Sequence, residues 1–209
     1  MIEKISVNTQ SSVHIAAQCS IYFDPLQLPS EPHDADIIFI THEHGDHFSE
    51  ADVKKAAKAD TVFVVPAGMK GALEKIGAAE DKIVALAAGD KTEVLGVPVE
   101  AVAAYNPAKP FHPLANGWLG YVVTLEGKRI YVSGDMDATP EAKAVKCDIA
   151  VIPIGGMFTM NPQEAAEFIN EIKPEFAVPT HYGTIVGKPT DGEDFAKLVD
   201  GSVKVKLVL

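Results

Sequence analysis

The run Thr41-His42-Glu43-His44-Gly45-Asp46-His47 places four potential metal ligands, His42, His44, Asp46 and His47, within six residues. It follows Ile37-Ile38-Phe39-Ile40, a short apolar stretch rich in β-branched residues that reads as a buried strand. The ligands thus cluster where a strand stops, and the fold must bring further polar groups to that strand end. Gly45 is expected to let the backbone turn sharply enough to aim them inward. Histidine and aspartate at this density suit a borderline cation such as zinc, which takes imidazole nitrogen and carboxylate oxygen at roughly 2.0–2.2 Å. His42 and His44 can reach one ion from an extended turn, whereas Asp46 and His47 lie further round and point elsewhere, so the spacing predicts a two-metal site. The helical HExxH zinc motif does not fit, because the residue four after His42 is Asp46.

Two more ligand candidates occupy equivalent positions. Asp135 follows the strand-like Arg129-Ile130-Tyr131-Val132, and His181 follows Phe176-Ala177-Val178-Pro179-Thr180. In open α/β sheets functional groups gather outside the carboxyl ends of strands, where all three groups are expected.

Together these residues resemble the metallo-β-lactamase-fold hydrolases. The likeness rests on an HxHxDH motif at His42, His44, Asp46 and His47, an aspartate at Asp135 and a late histidine at His181. Asp24, in Tyr22-Phe23-Asp24-Pro25, looks like the strand-end aspartate that supports the metal histidines in that family. The stretches Pro153-Ile154-Gly155-Gly156-Met157-Phe158-Thr159-Met160 and Pro179-Thr180-His181-Tyr182-Gly183 look most like a small bacterial lactonase-like branch that includes ascorbate-6-phosphate lactonase. The resemblance implies an α/β (α+β) chain folded as a four-layer αββα sandwich of two mixed sheets, a single domain over residues 1–209 with the metals at one edge. It assigns His42 and His44 to a first ion and Asp46, His47 and His181 to a second, with Asp135 bridging them and Asp46 also orienting the nucleophile. Two departures stand out. Relatives usually supply a third histidine to the first metal from a strand end, but here residues 97–104 run into Tyr105-Asn106, and the one histidine in that interval is His112, in a proline-flanked loop. His112 is a candidate ligand or substrate contact, and the first ion is expected to be weakly held. Near the start, Gln10-Ser11-Ser12 stands where many relatives have histidine before the serine pair.

A chain of 209 residues with 47% hydrophobic content can bury a sizeable core. The opening Met1-Ile2-Glu3-Lys4-Ile5 lacks the apolar core of a secretory signal, and no apolar stretch is long enough to span a bilayer, so a cytoplasmic setting without membrane attachment is expected. Cys19 and Cys147 read as reduced thiols. A formal charge of −11, with no basic cluster, disfavours nucleic acid as a partner. A small substrate remains compatible, an anionic one included, because a bound dication dominates its own surroundings.

Along the chain, strands are expected near residues 2–8, 12–17, 19–23, 36–40, 62–65, 82–86, 91–95 and 97–104, with a hairpin joining 118–125 to 129–132. Ser49 with Asp52 resembles a capping box opening a helix, 67–76 reads as a second helix, and Asn161-Pro162-Gln163-Glu164 starts a third, whose stripe of Ala165, Phe168, Ile169 and Ile172 belongs to the core.

The chemistry implied is a metal-dependent hydrolase in which hydroxide held by one or two zinc ions (or manganese or iron) cleaves a small ester, lactone, amide or phosphodiester. Tyr182 is a candidate hydrogen-bond donor to substrate or a packing residue. Trp118 is a candidate pocket residue or a core residue, Lys109 suits substrate recognition, His14 is expected to be structural and His33 exposed. Two rivals are a mononuclear iron enzyme resembling persulfide dioxygenases and a non-catalytic metal-binding regulatory module, the latter motivated by the missing third histidine.

Overall fold

The computed structural model describes residues 1–209. An antiparallel meander opens the chain, with β1 (Ile5–Val7) pairing β2 (Val13–Ala16) and β2 pairing β3 (Ser20–Phe23). Parallel strands β4 (Ala35–Phe39), β5 (Ala57–Pro66) and β6 (Ile83–Leu86) then complete a six-stranded sheet in sequence order. The second sheet holds seven strands in the order β13-β12-β11-β10-β9-β8-β7. Its antiparallel half is β7 (Lys91–Val94), β8 (Val97–Ala103), β9 (Leu119–Leu125) and β10 (Lys128–Val132). Its parallel half adds β11 (Ile149–Pro153), β12 (Phe176–Thr180) and β13 (Lys204–Val205). The β7–β8 and β9–β10 turns each place two residues at positive φ, Leu95-Gly96 and Glu126-Gly127, the backbone that matches the twist of a tight hairpin.

Three apolar clusters define four layers. The first lies between the sheets and joins Ile15, Phe23 and Phe39 to Leu119, Tyr121 and Val123. Outside the second sheet, Tyr131, Ile152 and Ala177 pack against α4 (Pro162–Ile172) and against Phe195 of α5 (Asp191–Leu198). Outside the first, Ile38, Phe63 and Val65 pack against Val53 and Ala56 of α1 (Glu50–Ala56) and Leu73 of α2 (Lys70–Lys75). A short α3 (Pro140–Lys143) completes the helices. The order helix, sheet, sheet, helix is the αββα sandwich, and its central strands, covered on both faces, are near-continuous apolar runs, as β11 is throughout and β4 is after Asp36 at its start. No helix is long and apolar enough to cross a membrane, and Cys19 and Cys147 are both unpaired.

Local signals set several boundaries. Asn161 accepts from the Glu164 amide at 2.9 Å while Glu164 accepts from the Asn161 amide at 2.9 Å, a reciprocal cap at the start of α4. Ser49 accepts from the Asp52 amide at the start of α1, but Asp52 turns its carboxylate to the Gln27 and Leu28 amides and so ties down the loop after β3. The expected strand at 2–8 is shortened, because Ile2–Lys4 form a 3-10 turn closed by the Lys4 amide on the Met1 carbonyl. The helix expected at 67–76 is a 3-10 turn, Ala67–Met69, followed by α2. β5 begins at Ala57, five residues earlier than expected, because Ala57 pairs with Ala35 across an irregularity in register.

Candidate metal centre

Every candidate ligand of the first expectation sits at one edge of the sandwich. β4 ends at Phe39 and leads into the His42–His47 turn, β10 leads to Asp135, β12 leads to His181, and β3 leads to Asp24. The two sheets are tied together beside the site, where the Tyr121 hydroxyl donates to the Ile40 carbonyl at 2.8 Å and the Leu119 amide to the Thr41 carbonyl at 3.1 Å. The turn itself does not depend on Gly45 as expected. A Cβ at Gly45 would meet open space and its φ is not left-handed; the turn is closed instead by the His47 and Phe48 amides on the His44 carbonyl. Glycine is required elsewhere: a Cβ on Gly155 would lie 2.1 Å from the His181 carbonyl oxygen.

The side chains converge in three overlapping trios, His42–His44–His112, His42–His47–Asp135 and Asp46–His47–His181, whose ligand atoms within each trio lie within 4.8 Å of one another. Asp135 sits between them. Its Oδ1 lies 3.3 Å from His47 Nε2, and its Oδ2 lies 3.3 Å from His112 Nε2 and 3.1 Å from His181 Nε2. Although no strand end supplies a third histidine, the loop folds back so that His112 joins His42 and His44, buried against their rings at 5.3 and 5.1 Å.

The remaining ring nitrogens are occupied in a way that frees one face. His47 Nδ1 is 2.7 Å from Asp24 Oδ2, and His112 Nδ1 is 2.7 Å from Asn106 Oδ1, so donation from each Nδ1 leaves Nε2 as the free nitrogen. Asp24 is itself held by the Thr41 amide at 2.8 Å and hydroxyl at 2.6 Å. Buried Nε2 atoms of His47, His112 and His181 and Oδ1 of Asp135 all lack a well-formed hydrogen bond. Buried polar atoms without partners are costly, and a cluster of them aimed together fits a cation that would satisfy them all.

Electrostatics divide the cluster. Burial and the neighbouring His47 push the His42 imidazole well below its usual pKa, and burial and His112 lower that of His44, so both are neutral at pH 7. Burial would also lower His47 and His181, but the Asp135 carboxylate outweighs it, helped by Asp24 at His47 and Asp46 at His181; His47 is held well above the usual range and His181 is pushed up to about 9. Asp135, although buried, is held well below the usual carboxylate range by His181 and His47, and Asp46 is lowered against its own burial by His181 and His47. Two carboxylates beside two imidazoles that they hold protonated mark a place where a bound dication would displace those protons.

Asp24, Gln10 and His181 all take left-handed backbone conformations at φ 46, 50 and 59. Such strain in non-glycine residues costs about 1–3 kcal/mol each and tends to gather at functional sites. Gln10, not singled out as a ligand partner from sequence, enters the site by donating Nε2–H to Asp46 Oδ2 at 3.1 Å. Asn106 is the other functional residue missed; its signal was only its place at the end of a strand.

Other expected residues lie elsewhere. Tyr182 does not face the site: its ring packs beside Gly192 of α5 and its hydroxyl points to the Leu209 carbonyl at 3.5 Å, because alternation along the chain past His181 turns it to the outer core. Lys109 does not line the cavity at the site, and its ammonium is held by Asp137 at 2.5 Å and by the Thr159 carbonyl at 2.7 Å. Trp118 is buried with its ring 4.9 Å from His42 and 4.7 Å from His44, so it packs against the site histidines. His14 stacks on Tyr22 at 4.2 Å and His33 is exposed, as expected. A 290 Å³ cavity opens onto His44, Asp46, His112, Asp135 and His181.

The fold and this His/Asp cluster agree with a β-lactamase superfamily domain model, which matches residues 4–182, and the chain belongs to that superfamily. A UPF0173 metal-dependent hydrolase of Pyrococcus abyssi is 34% identical over 216 aligned positions that cover 97% of this chain and 94% of the relative. A UPF0173 metal-dependent hydrolase of Thermus thermophilus is 34% identical over 167, covering 78% and 72%. A crystal structure from Parabacteroides distasonis, of a protein proposed to be a metal-dependent hydrolase, superposes with a TM-score of 0.80 at 30% identity over 97% and 91% of the two chains. A metallo hydrolase from Ignicoccus hospitalis shares the fold, with a TM-score of 0.79 at 20% identity over 97% and 93%. Within the superfamily, the protein is a metal-dependent hydrolase of the UPF0173 group.

Proposed function

We propose that the cluster holds two divalent ions, zinc best matching its imidazole-rich donors, and that the protein hydrolyses a small ester, lactone, amide or phosphodiester. In this reading His42, His44 and His112 hold one ion, Asp46, His47 and His181 the other, and Asp135 lies between them. The observation that carries it is the Asp135 carboxylate, whose two oxygens approach imidazoles of both groups within 3.3 Å, the arrangement by which one anion serves two cations. When bound, such ions supply a water that ionises near neutral pH and polarise the bond under attack.

The protein's own groups do the rest. Asp46 Oδ2, fixed by Gln10 and lying 3.3 Å from His181 Nε2, remains ionised and accepts a hydrogen bond from the attacking water, which orients it. Asp24 and Asn106 lock the tautomers of His47 and His112. The 290 Å³ cavity suits a small molecule, and the charge of −11 supports a partner other than nucleic acid.

Elemental analysis of purified protein and of Asp135→Ala, with a panel of esters, lactones and phosphodiesters, tests this reading. Two equivalents of metal and turnover in the parent, with at least one equivalent lost in Asp135→Ala, are expected. Undiminished metal in the variant would overturn the assignment, and iron as the resident metal with no hydrolysis would favour an oxidative reaction.

A further inference from the structure

Each of the two loops that bring His112 and His181 to the site also presents an apolar side chain at the mouth of the cavity. Phe111 immediately precedes His112, and Ile185 lies four residues after His181. Phe158, from the loop after β11, completes the wall, its ring meeting Phe111 edge to face at 4.7 Å and 88°. These are not core residues. Phe111 is 39% exposed and Ile185 is 55% exposed, while Met157, beside Phe158 in the chain, is 69% exposed. Apolar side chains held open to water beside a polar site contribute favourably only when apolar surface covers them.

Charge points the same way. No lysine or arginine lines the cavity: on the loop of Phe111, Lys109 has its ammonium committed to Asp137 and to the Thr159 carbonyl, and on the loop of Ile185, the exposed Lys188 lies outside the cavity wall. Beyond the His/Asp cluster nothing in the wall would neutralise an anionic group on the substrate, and burying one there would go uncompensated.

We infer that the substrate presents an uncharged apolar arm, a short acyl or aryl group, to Phe111, Phe158 and Ile185, with its scissile carbonyl over the His/Asp cluster. The inference rests on the hydrolytic reading above and narrows it to neutral esters and lactones. In the reaction the acyl C–O bond breaks, a C–OH bond forms from water, and the leaving oxygen takes the water's proton.

The test uses metal-loaded protein and p-nitrophenyl esters of acetate, butyrate and hexanoate, with the succinyl monoester as an anionic counterpart of butyryl. The expected result is a rise in kcat/KM of at least about tenfold from acetyl to hexanoyl, expressed in KM, as added methylenes are buried. Butyryl should exceed succinyl; Ile185→Ser, at an exposed position, should flatten the series with Tm unchanged, and Phe111→Ser should flatten it with a small fall in Tm from the lost contact with Phe158. A flat or falling series, or preference for succinyl, would overturn the inference. In parallel, the affinities of neutral N-methyl alkanamides of the same chain lengths are measured by competition or by Tm shift. If no ester is turned over but amide affinity still rises with chain length and falls in the serine variants, the hydrolytic reading fails and recognition of an apolar arm stands. If amide affinity is also independent of chain length, the apolar arm is refuted.

Discussion

Gln10 grips two of the candidate ligands at once: its side-chain Nε2–H donates to Asp46 Oδ2 at 3.1 Å, and its backbone carbonyl accepts the His181 amide at 2.9 Å. The Thr184 hydroxyl donates to Gln10 Oε1 at 3.3 Å and so fixes which end of the amide faces Asp46. Gln10→Ala is expected to weaken metal binding by about 10–100-fold, the usual cost of removing a group that orients a ligand. Gln10→Glu should be worse, because it sets a carboxylate against Asp46. Metal titration against a competing chelator checks both; unchanged affinity in Gln10→Ala would deny Gln10 any orienting role.

His112 and Asn106 give a second test. His112→Ala removes one of three imidazoles from the first group and should lose about one equivalent of metal, whereas Asn106→Ala leaves the imidazole but frees its tautomer. Asn106→Asp, which keeps an acceptor at the same place, should restore binding. Elemental analysis of the three variants separates ligation from orientation, and full metal content in His112→Ala would exclude it as a ligand.

Gly155→Ala should be damaging although the residue touches no substrate. Its Cβ would fall 2.1 Å from the His181 carbonyl oxygen and 2.6 Å from Val186 Cγ2, so backbone must move. A cost of about 1–3 kcal/mol lowers Tm by roughly 5 °C in a chain of this size. The displaced segment bears His181, so metal content should fall too. Gly45→Ala, by contrast, adds a Cβ into open space and should leave both unchanged. Calorimetry with metal analysis distinguishes the two glycines.

Above pH 6.5, where the lowered His42 and His44 are neutral whether folded or not, the stability of the chelator-treated protein should fall as pH rises. His181 is pushed up from 6.5 to about 9, and His47 is raised as well. A base with a higher pKa folded than unfolded contributes stability that is complete below the unfolded value and is lost as pH rises through the folded one. Metal-free protein should therefore lose Tm between pH 6.5 and 9, and metal-loaded protein should lose less, since the ions replace the protons. Equal slopes with and without metal would show that these imidazoles are not the groups responsible.

The ligand run at 42–47, Asp135, His181 and Asp24 were legible because each follows an apolar strand directly, and a strand end fixes where the next few residues go. The same holds for the Asn161–Glu164 cap and the two hairpin turns, whose partners lie within a few positions of one another. His112 was ambiguous for the opposite reason. It lies nine residues beyond the end of β8, and only packing against the His42 and His44 rings selects its position.

What the amino-acid sequence determined by itself, then, was most of the strands, though not β11 or β13, together with the fold class and the candidate ligands attached directly to strand ends. The tertiary structure decided that His112 completes the first group, that Gln10 reaches across 36 positions to Asp46, that Tyr182 turns away and that Lys109 is consumed by Asp137. The physical reason is range. Backbone geometry propagates reliably over a few residues, whereas a loop adopts whichever conformation satisfies its polar groups against surfaces contributed by distant parts of the chain.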